Sequence, residues 1–246
     1  MKIAVIAGTS DATELIKNIS GKHEITAFVA TDYGREILKN NKININIGRL
    51  NKQEFLKKLI YFDCVIDASH PFAEEVTKIV KSVCQELHVK YLRLIREKIN
   101  YDYNKIILAD SKEKACILLS QMTGNILFTT GVKSLNFYEN HVKKFAKRAW
   151  IRILDTQDSR KIAGNSKANI IYALPPFSEQ DLLKIIIKHD IKILVSKDSG
   201  KKGGLLEKIK IAKKCNIPVI LIKRPEETGM QLQEILIYLE EFSCQN

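Results

Sequence analysis

Short runs of Ile, Val, Leu and Phe alternate along this chain with longer stretches whose apolar residues recur every three or four positions. KIAVIAG reads as a strand, and the segment from Asp11 to about Ile19 reads as an amphipathic helix. EITAFVAT and YGREILKN repeat the pair. ININIGRL leads into the helix NKQEFLKKLIYF, and the strand CVIDAS precedes a long helix from Pro71 to about Leu87. KYLRLIRE adds a further strand. Such a βα rhythm predicts a mainly parallel sheet with helices on both faces.

After KINYDYN the rhythm restarts. KIILAD, NILFTTG, WIRIL, NIIYALPP, IKILVSKDSG and IPVILIKRP read as strands. SKEKACILLSQM, VKSLNFYENHVKKF, SEQDLLKIIIKH and LLEKIKIAKKC read as helices, and a last helix fills about Met230 to Glu241. The pattern predicts an α/β protein of two Rossmann-like domains, residues 1–97 and 98–246. They meet at a polar connector near residues 97–105 and, lacking a Pro/Gly linker, are expected to pack closely around a cleft.

No apolar run approaches the roughly 20 residues that span a bilayer, and MKIAVIAG reads as a strand rather than a signal peptide. Five cysteines are scattered without a CxxC pair or a histidine at metal-ligand spacing. These features predict a cytoplasmic protein with reduced thiols, no metal site and no membrane contact. Forty Lys and Arg against 28 Asp and Glu leave a net charge of +12. Such an excess suits nucleic acid, a polyanionic small substrate, or merely solvated helix faces. The lysines form no tail and alternate with no aromatic platform, so no nucleic-acid partner is expected.

Ligands of open α/β sheets gather beyond the carboxyl ends of the strands. After the first strand, Gly8 permits a tight turn, and Thr9 and Ser10 open a helix whose positive end suits a pyrophosphate. The structural alternative is Ser10 as a plain helix cap. Asp32 lies 24 residues after Gly8, at the end of the second strand, where an acid commonly binds the adenosine ribose, or else it caps the helix beginning near Tyr33. In DASHPFAEE, Pro71 fits the first helical position with Ser69 or His70 as cap. His70 could equally donate a proton or bind a coenzyme amide, with Asp67 behind it as an orienting acid. Thr130 and Gly131 repeat the strand-then-glycine turn, with Lys133 nearby. SKDSGKKGG sets Lys197, Lys201 and Lys202 beside Ser199 and Gly200, a combination suited to carboxylates or phosphates, or else a solvated turn.

Taken in order, AGTSDATELI, VIDASHPFAEEVTKIV, YLRLIRE, LFTTGVKSL, LPPFSEQDL, ILVSKDSGKKGGLLEKI and IPVILIKRP resemble the precorrin-6A reductase family of cobalamin biosynthesis, including its cobalt-precorrin-6A relatives. The resemblance runs from Lys2 to about Arg224, and DASHPFA and SKDSG…GG are its most specific parts. It implies two Rossmann-like domains and a reduced nicotinamide coenzyme. It also implies hydride transfer to C19 of the macrocycle, with a proton added at C18. Cobalt-pathway members are described with NADH and metal-free-pathway members with NADPH. The family's glycine turn carries over to Gly8, Thr9 and Ser10, but Ala7 stands where many relatives have a glycine, and Asp11-Ala12 where many have an acid followed by glycine.

The implied substrate is a tetrapyrrole-derived ring edged with acetate and propionate groups. Lys133, Lys197, Lys201 and Lys202, together with Ser199, Gly200 and Arg35 or Arg49, are the expected anion-binding residues. Gly8, Thr9, Ser10, Asp32, Ser69, His70, Thr130 and Gly131 are the expected coenzyme residues, with Asp32 pointing to NADH and Arg35 to NADPH as the alternative. His70 and Asp67 are the catalytic candidates. The rival readings are a reductase of another small anion and a non-catalytic nucleotide- or RNA-binding protein; the oligomeric state is left open.

Overall fold

A computed structural model describes residues 1–97, 99–175 and 177–244, with only the backbone of Lys202, Ser243 and Cys244. The side-chain role expected of Lys202 therefore lies outside the described residues, as does Pro176 of the LPPF stretch. The chain divides into two compact units, Met1–Glu97 with Pro225–Asn246, and Lys98–Arg224.

The first unit runs β1 (Lys2–Ile6), α1 (Ser10–Ile19), β2 (Glu24–Val29), α2 (Asp32–Leu38), β3 (Asn44–Ile47), α3 (Lys52–Leu59), β4 (Cys64–Asp67), α4 (Glu74–Leu87) and β5 (Lys90–Arg93). Its five strands are parallel, in the order β3-β2-β1-β4-β5. The continuous apolar run of β1 follows from burial on both faces. Ile3 and Val5 pack with Leu15 and Ile16 of α1, whereas Ala4 and Ile6 pack with Phe55 of α3 and Val80 of α4.

The second unit contains β6 (Ile106–Ala109), α5 (Lys112–Ser120), β7 (Asn125–Phe128), α6 (Leu135–His141), α7 (Phe145–Arg148), β8 (Ala149–Leu154), α8 (Gln157–Ala163), β9 (Asn169–Ala173), α9 (Glu179–Lys188), β10 (Ile191–Lys197), α10 (Leu205–Lys214) and β11 (Val219–Ile222). Its six strands are also parallel, in the order β6-β11-β10-β7-β8-β9. Counted from β7, the five strands β7 to β11 repeat the arrangement of the first sheet, and β6 is added at the edge beside β11. One face is closed by α9 and α10 through Leu182, Ile186 and Ile211. On the other, the Phe128 ring meets Tyr138 with centroids 4.5 Å apart.

The C-terminal segment departs from the expected 98–246 domain. Helix α11 (Leu232–Cys244) buries Ile235 and Leu239 in the cluster that holds Ile3 and Leu15, so residues 225–246 complete the first unit. Met230 fixes the return: its amide donates to the Arg93 carbonyl at 2.8 Å, and its carbonyl accepts from the Ile95 amide at 3.0 Å. An amphipathic helix shows that it needs an apolar partner but does not say which sheet supplies it.

Two local expectations change as well. The predicted helix VKSLNFYENHVKKF breaks, because Lys144 adopts φ +55° between α6 and α7. Helix α8 went unpredicted because it buries only Ser159 and Ala163, too little to leave an apolar stripe. Among the described residues no helix is long and apolar enough to cross a membrane.

Candidate active site

In the first sheet the strand order reverses between β1 and β4, and in the second between β7 and β10. The segments that leave the first reversal, residues 7–11 and 68–73, carry Gly8, Thr9, Ser10, Ser69 and His70. Those that leave the second, residues 129–134 and 198–204, carry Thr130, Gly131, Lys133, Ser199, Gly200 and Lys201. These residues thus stand at the position where open α/β sheets bind ligands, whereas Asp32 follows the neighbouring strand β2.

Gly8 turns the chain out of β1 at φ +120°, a conformation that disfavours any side chain, and no atom lies within 4 Å of where a Cβ would stand. Thr9, not Ser10, caps α1. Its hydroxyl oxygen accepts from the Ala12 amide at 3.1 Å and donates to the Ala68 carbonyl at 2.8 Å, tying the turn after β1 to the end of β4. Ser10 is the first residue of the helix. Asp11 in its first turn is ion-paired to Arg96.

The DASHPF stretch also differs from expectation. Pro71 does not open α4, which begins at Glu74 after an Ala73 cap with no side-chain bond. Residues 70–73 form a turn in which the Ala73 amide donates to the His70 carbonyl at 2.7 Å, and proline suits its second position. His70 Nδ1 accepts from the Phe72 amide at 3.2 Å, so the neutral ring carries its proton on Nε2.

Asp67 does not orient His70. Its wholly buried carboxylate takes the Ser69 amide at 3.0 Å, Thr77 Oγ1 at 2.7 Å, the Tyr91 hydroxyl at 3.1 Å and the Arg93 guanidinium at 2.9 Å. Tyr91 responds: burial and then the Asp67 charge push its phenol far up. Ser69 belongs to the same network, its carbonyl and hydroxyl both accepting from Arg93 at 3.1 and 3.2 Å. Arg93, Thr77 and Tyr91 escaped the sequence reading, although an arginine inside the apolar run YLRL was a signal.

At the end of β2, Thr31 caps α2 by accepting from the Gly34 amide at 3.2 Å. Asp32 is therefore not the cap. It is exposed in the first turn of α2 and lies 3.5 Å from Arg35.

In the second unit Gly131 adopts φ +82°, again with open space where a Cβ would be. Thr130 is buried. Burial raises the Tyr138 phenol, opposed by the neighbouring Thr130 hydroxyl. Burial, then the charges of Lys133 and Lys112, lower the Lys197 pKa, so three ammonium groups share one neighbourhood. Lys112 was missed from sequence. It starts α5 and holds its Nζ 4.1 Å from the Phe137 ring centroid. Ser199 donates to the Gly203 carbonyl at 3.1 Å, and the Gly200 amide donates to Asp198 at 3.3 Å, so this glycine-rich loop is internally braced.

A family model described as precorrin-6x reductase CbiJ/CobK matches residues 2–240. The chain belongs to this family. Among CbiJ/CobK relatives it is 28% identical over 234 residues to the cobalt-precorrin-6A reductase of Priestia megaterium, covering 91% of each chain. It is 29% identical over 232 residues to that of Methanococcus maripaludis, covering 92% of each. The solved CobK precorrin-6A reductase superposes over 98% of this chain and 96% of its own with a TM-score of 0.77, at 19% identity, a likeness of fold. Burial pushes the Cys64 and Cys84 thiols of this CbiJ/CobK member up to about 12, leaving both poor nucleophiles.

Proposed function

We propose that this protein reduces cobalt-precorrin-6A to cobalt-precorrin-6B in cobalamin biosynthesis with a reduced nicotinamide coenzyme. The observation that carries the reading is the family match across residues 2–240. The names of the two relatives above favour the cobalt-bearing substrate over the metal-free ring.

The turn after β1 fits a dinucleotide, since Gly8 leaves its backbone open and α1 begins there with the positive end of its dipole. Gly8, Thr9 and Ser10 would hold the pyrophosphate through their backbone, and Asp32 the ribose of NADH. The coenzyme, when bound, supplies the hydride. His70 would offer its Nε2 proton to the coenzyme amide or to the ring carbon that gains a proton. Ser69 has no such role in this reading, because its hydroxyl belongs to the buried network.

Lys133 and Lys197, with Lys201, Ser199 and Gly200, would meet the carboxylates of the macrocycle. Their mutual repulsion favours an anion among them. The test is an anaerobic assay of coenzyme oxidation with both corrinoid forms and both coenzymes. Turnover that requires cobalt-precorrin-6A supports the proposal; no corrinoid-dependent oxidation by either coenzyme removes it.

A further inference from the structure

Next to the glycine-rich loop, the second unit holds a pocket of about 460 Å³ at the amino ends of α9 and α10, with Lys201 on its wall as a further cation. Arg152 of β8 and Lys208 of α10 line it, and their exposures are 7% and 9%. Neither forms an ion pair with a carboxylate among the described residues. Lys208 donates to the buried Ser196 hydroxyl at 3.3 Å, which uses one of its three protons. The Arg152 guanidinium has the Phe177 ring 4.1 Å away and no hydrogen-bond acceptor among the described residues.

Two buried cations side by side are costly unless something negative joins them. Burial, then the Arg152 charge, push Lys208 down to about 8, and burial pushes Arg152 down to about 10. The acids nearby offset them only in part, since Asp181 raises Arg152 by less than burial lowers it. Asp181, on α9, accepts from the Ser178 amide and hydroxyl in a helix-capping box, and Glu207 on the pocket wall raises Lys208 only as the smallest contribution. Both helix amino ends add positive potential. Phe177 and Leu182 add apolar wall.

We propose that this pocket is an oxyanion site, in which Arg152 and Lys208 together hold one carboxylate or phosphate of a molecule whose flat or apolar body rests on Phe177 and Leu182. A planar fork beside a point charge suits either group. The reductase reading offers two sources, a carboxylate arm of the macrocycle and a phosphate of the coenzyme. The site itself does not depend on that reading.

The experiment follows the side-chain ammonium of Lys208 by NMR on labelled full-length protein, with the signal assigned through Lys208→Arg. Inorganic phosphate should raise the Lys208 midpoint by about one unit or more, saturating with a dissociation constant on the order of 1 mM or tighter. Arg152→Met, checked for native unfolding behaviour, should weaken this at least tenfold, and Arg152→Lys should restore part of it. Separate titrations identify the source: a shift with the corrinoid alone assigns a substrate carboxylate, and one with the coenzyme alone assigns its phosphate. A Lys208 midpoint unmoved by phosphate, propionate, corrinoid and coenzyme overturns the proposal, even if the variants fail to fold. A phosphate response without corrinoid reduction would keep this site and remove the reductase reading; the reverse pair of results would do the opposite.

Discussion

Arg93 and Asp67 are register partners on the neighbouring strands β5 and β4, and their side chains meet at 2.9 Å with almost no exposure. The same guanidinium reaches Glu227 through Nε at 2.9 Å, joining the returning C-terminal segment to the end of β4. One arginine therefore neutralises a buried acid and anchors the segment that precedes α11.

Replacing Arg93 by Met should thus destabilise the first unit by about 3–5 kcal/mol, the usual cost of leaving a buried charge alone. Urea titration would measure it. The double variant Asp67→Asn with Arg93→Met should cost clearly less than the sum of the single changes, because the stranded carboxylate is gone. Additive losses would mean that the pair does not act as a unit.

The sheets were legible because residues buried on both faces leave uninterrupted apolar runs, as in Ile3–Ile6 and Val219–Ile222. The Gly8 and Gly131 turns were legible because strand, glycine and helix follow one another directly. What could not be read was pairing at a distance. Arg93 and Glu227 stand 134 positions apart, and nothing local links them. The turn around His70 was not legible either, since a proline can occupy a turn as readily as a first helical position. Lys208 left a sign that went unused: it shares the buried stripe of α10 with Leu205, Ile209 and Ala212.

Lys208 should also make stability depend on pH in a particular direction. Its folded pKa, about 8, lies below its ordinary 10.5, so between these values the unfolded chain binds more protons. Stability from this group therefore rises as pH climbs through that window, and the full penalty persists below it. In phosphate-free buffer, Lys208→Met should be more stable than the parent below pH 8, by about 1–3 kcal/mol. The gap should narrow towards pH 10. Equal stability of the two proteins at neutral pH would show that the ammonium carries no buried-charge cost.

His70 can be tested apart from binding. Its Nδ1 accepts from the Phe72 amide within one turn, and His70→Ala should lower the unfolding free energy by no more than about 1–2 kcal/mol, the usual cost of one such bond. Single-turnover reduction with saturating coenzyme should fall by about a hundredfold or more if Nε2 delivers the proton. If the ring only orients the coenzyme amide, the coenzyme KM should rise while the saturated rate falls little. A saturated rate and a KM both within a few-fold of the parent would remove His70 from the site.

The proposed use of NADH rests on Asp32, which sits exposed on α2 and 3.5 Å from Arg35. Because Thr31 makes the cap, the Asp32 carboxylate is not needed to hold the helix, and its charge is available to repel a 2′-phosphate. Asp32→Asn should therefore raise kcat/KM for NADPH relative to NADH by about tenfold, equivalent to roughly 1.4 kcal/mol of lost repulsion. Stability should hardly change, since exposed ion pairs contribute about 0–1 kcal/mol. Arg35→Met should lower NADPH use in either background, as it removes a cation beside Asp32 that could pair with the extra phosphate. Parent protein that already prefers NADPH by tenfold would reverse the assignment, making Arg35 the discriminating residue and Asp32 its tether.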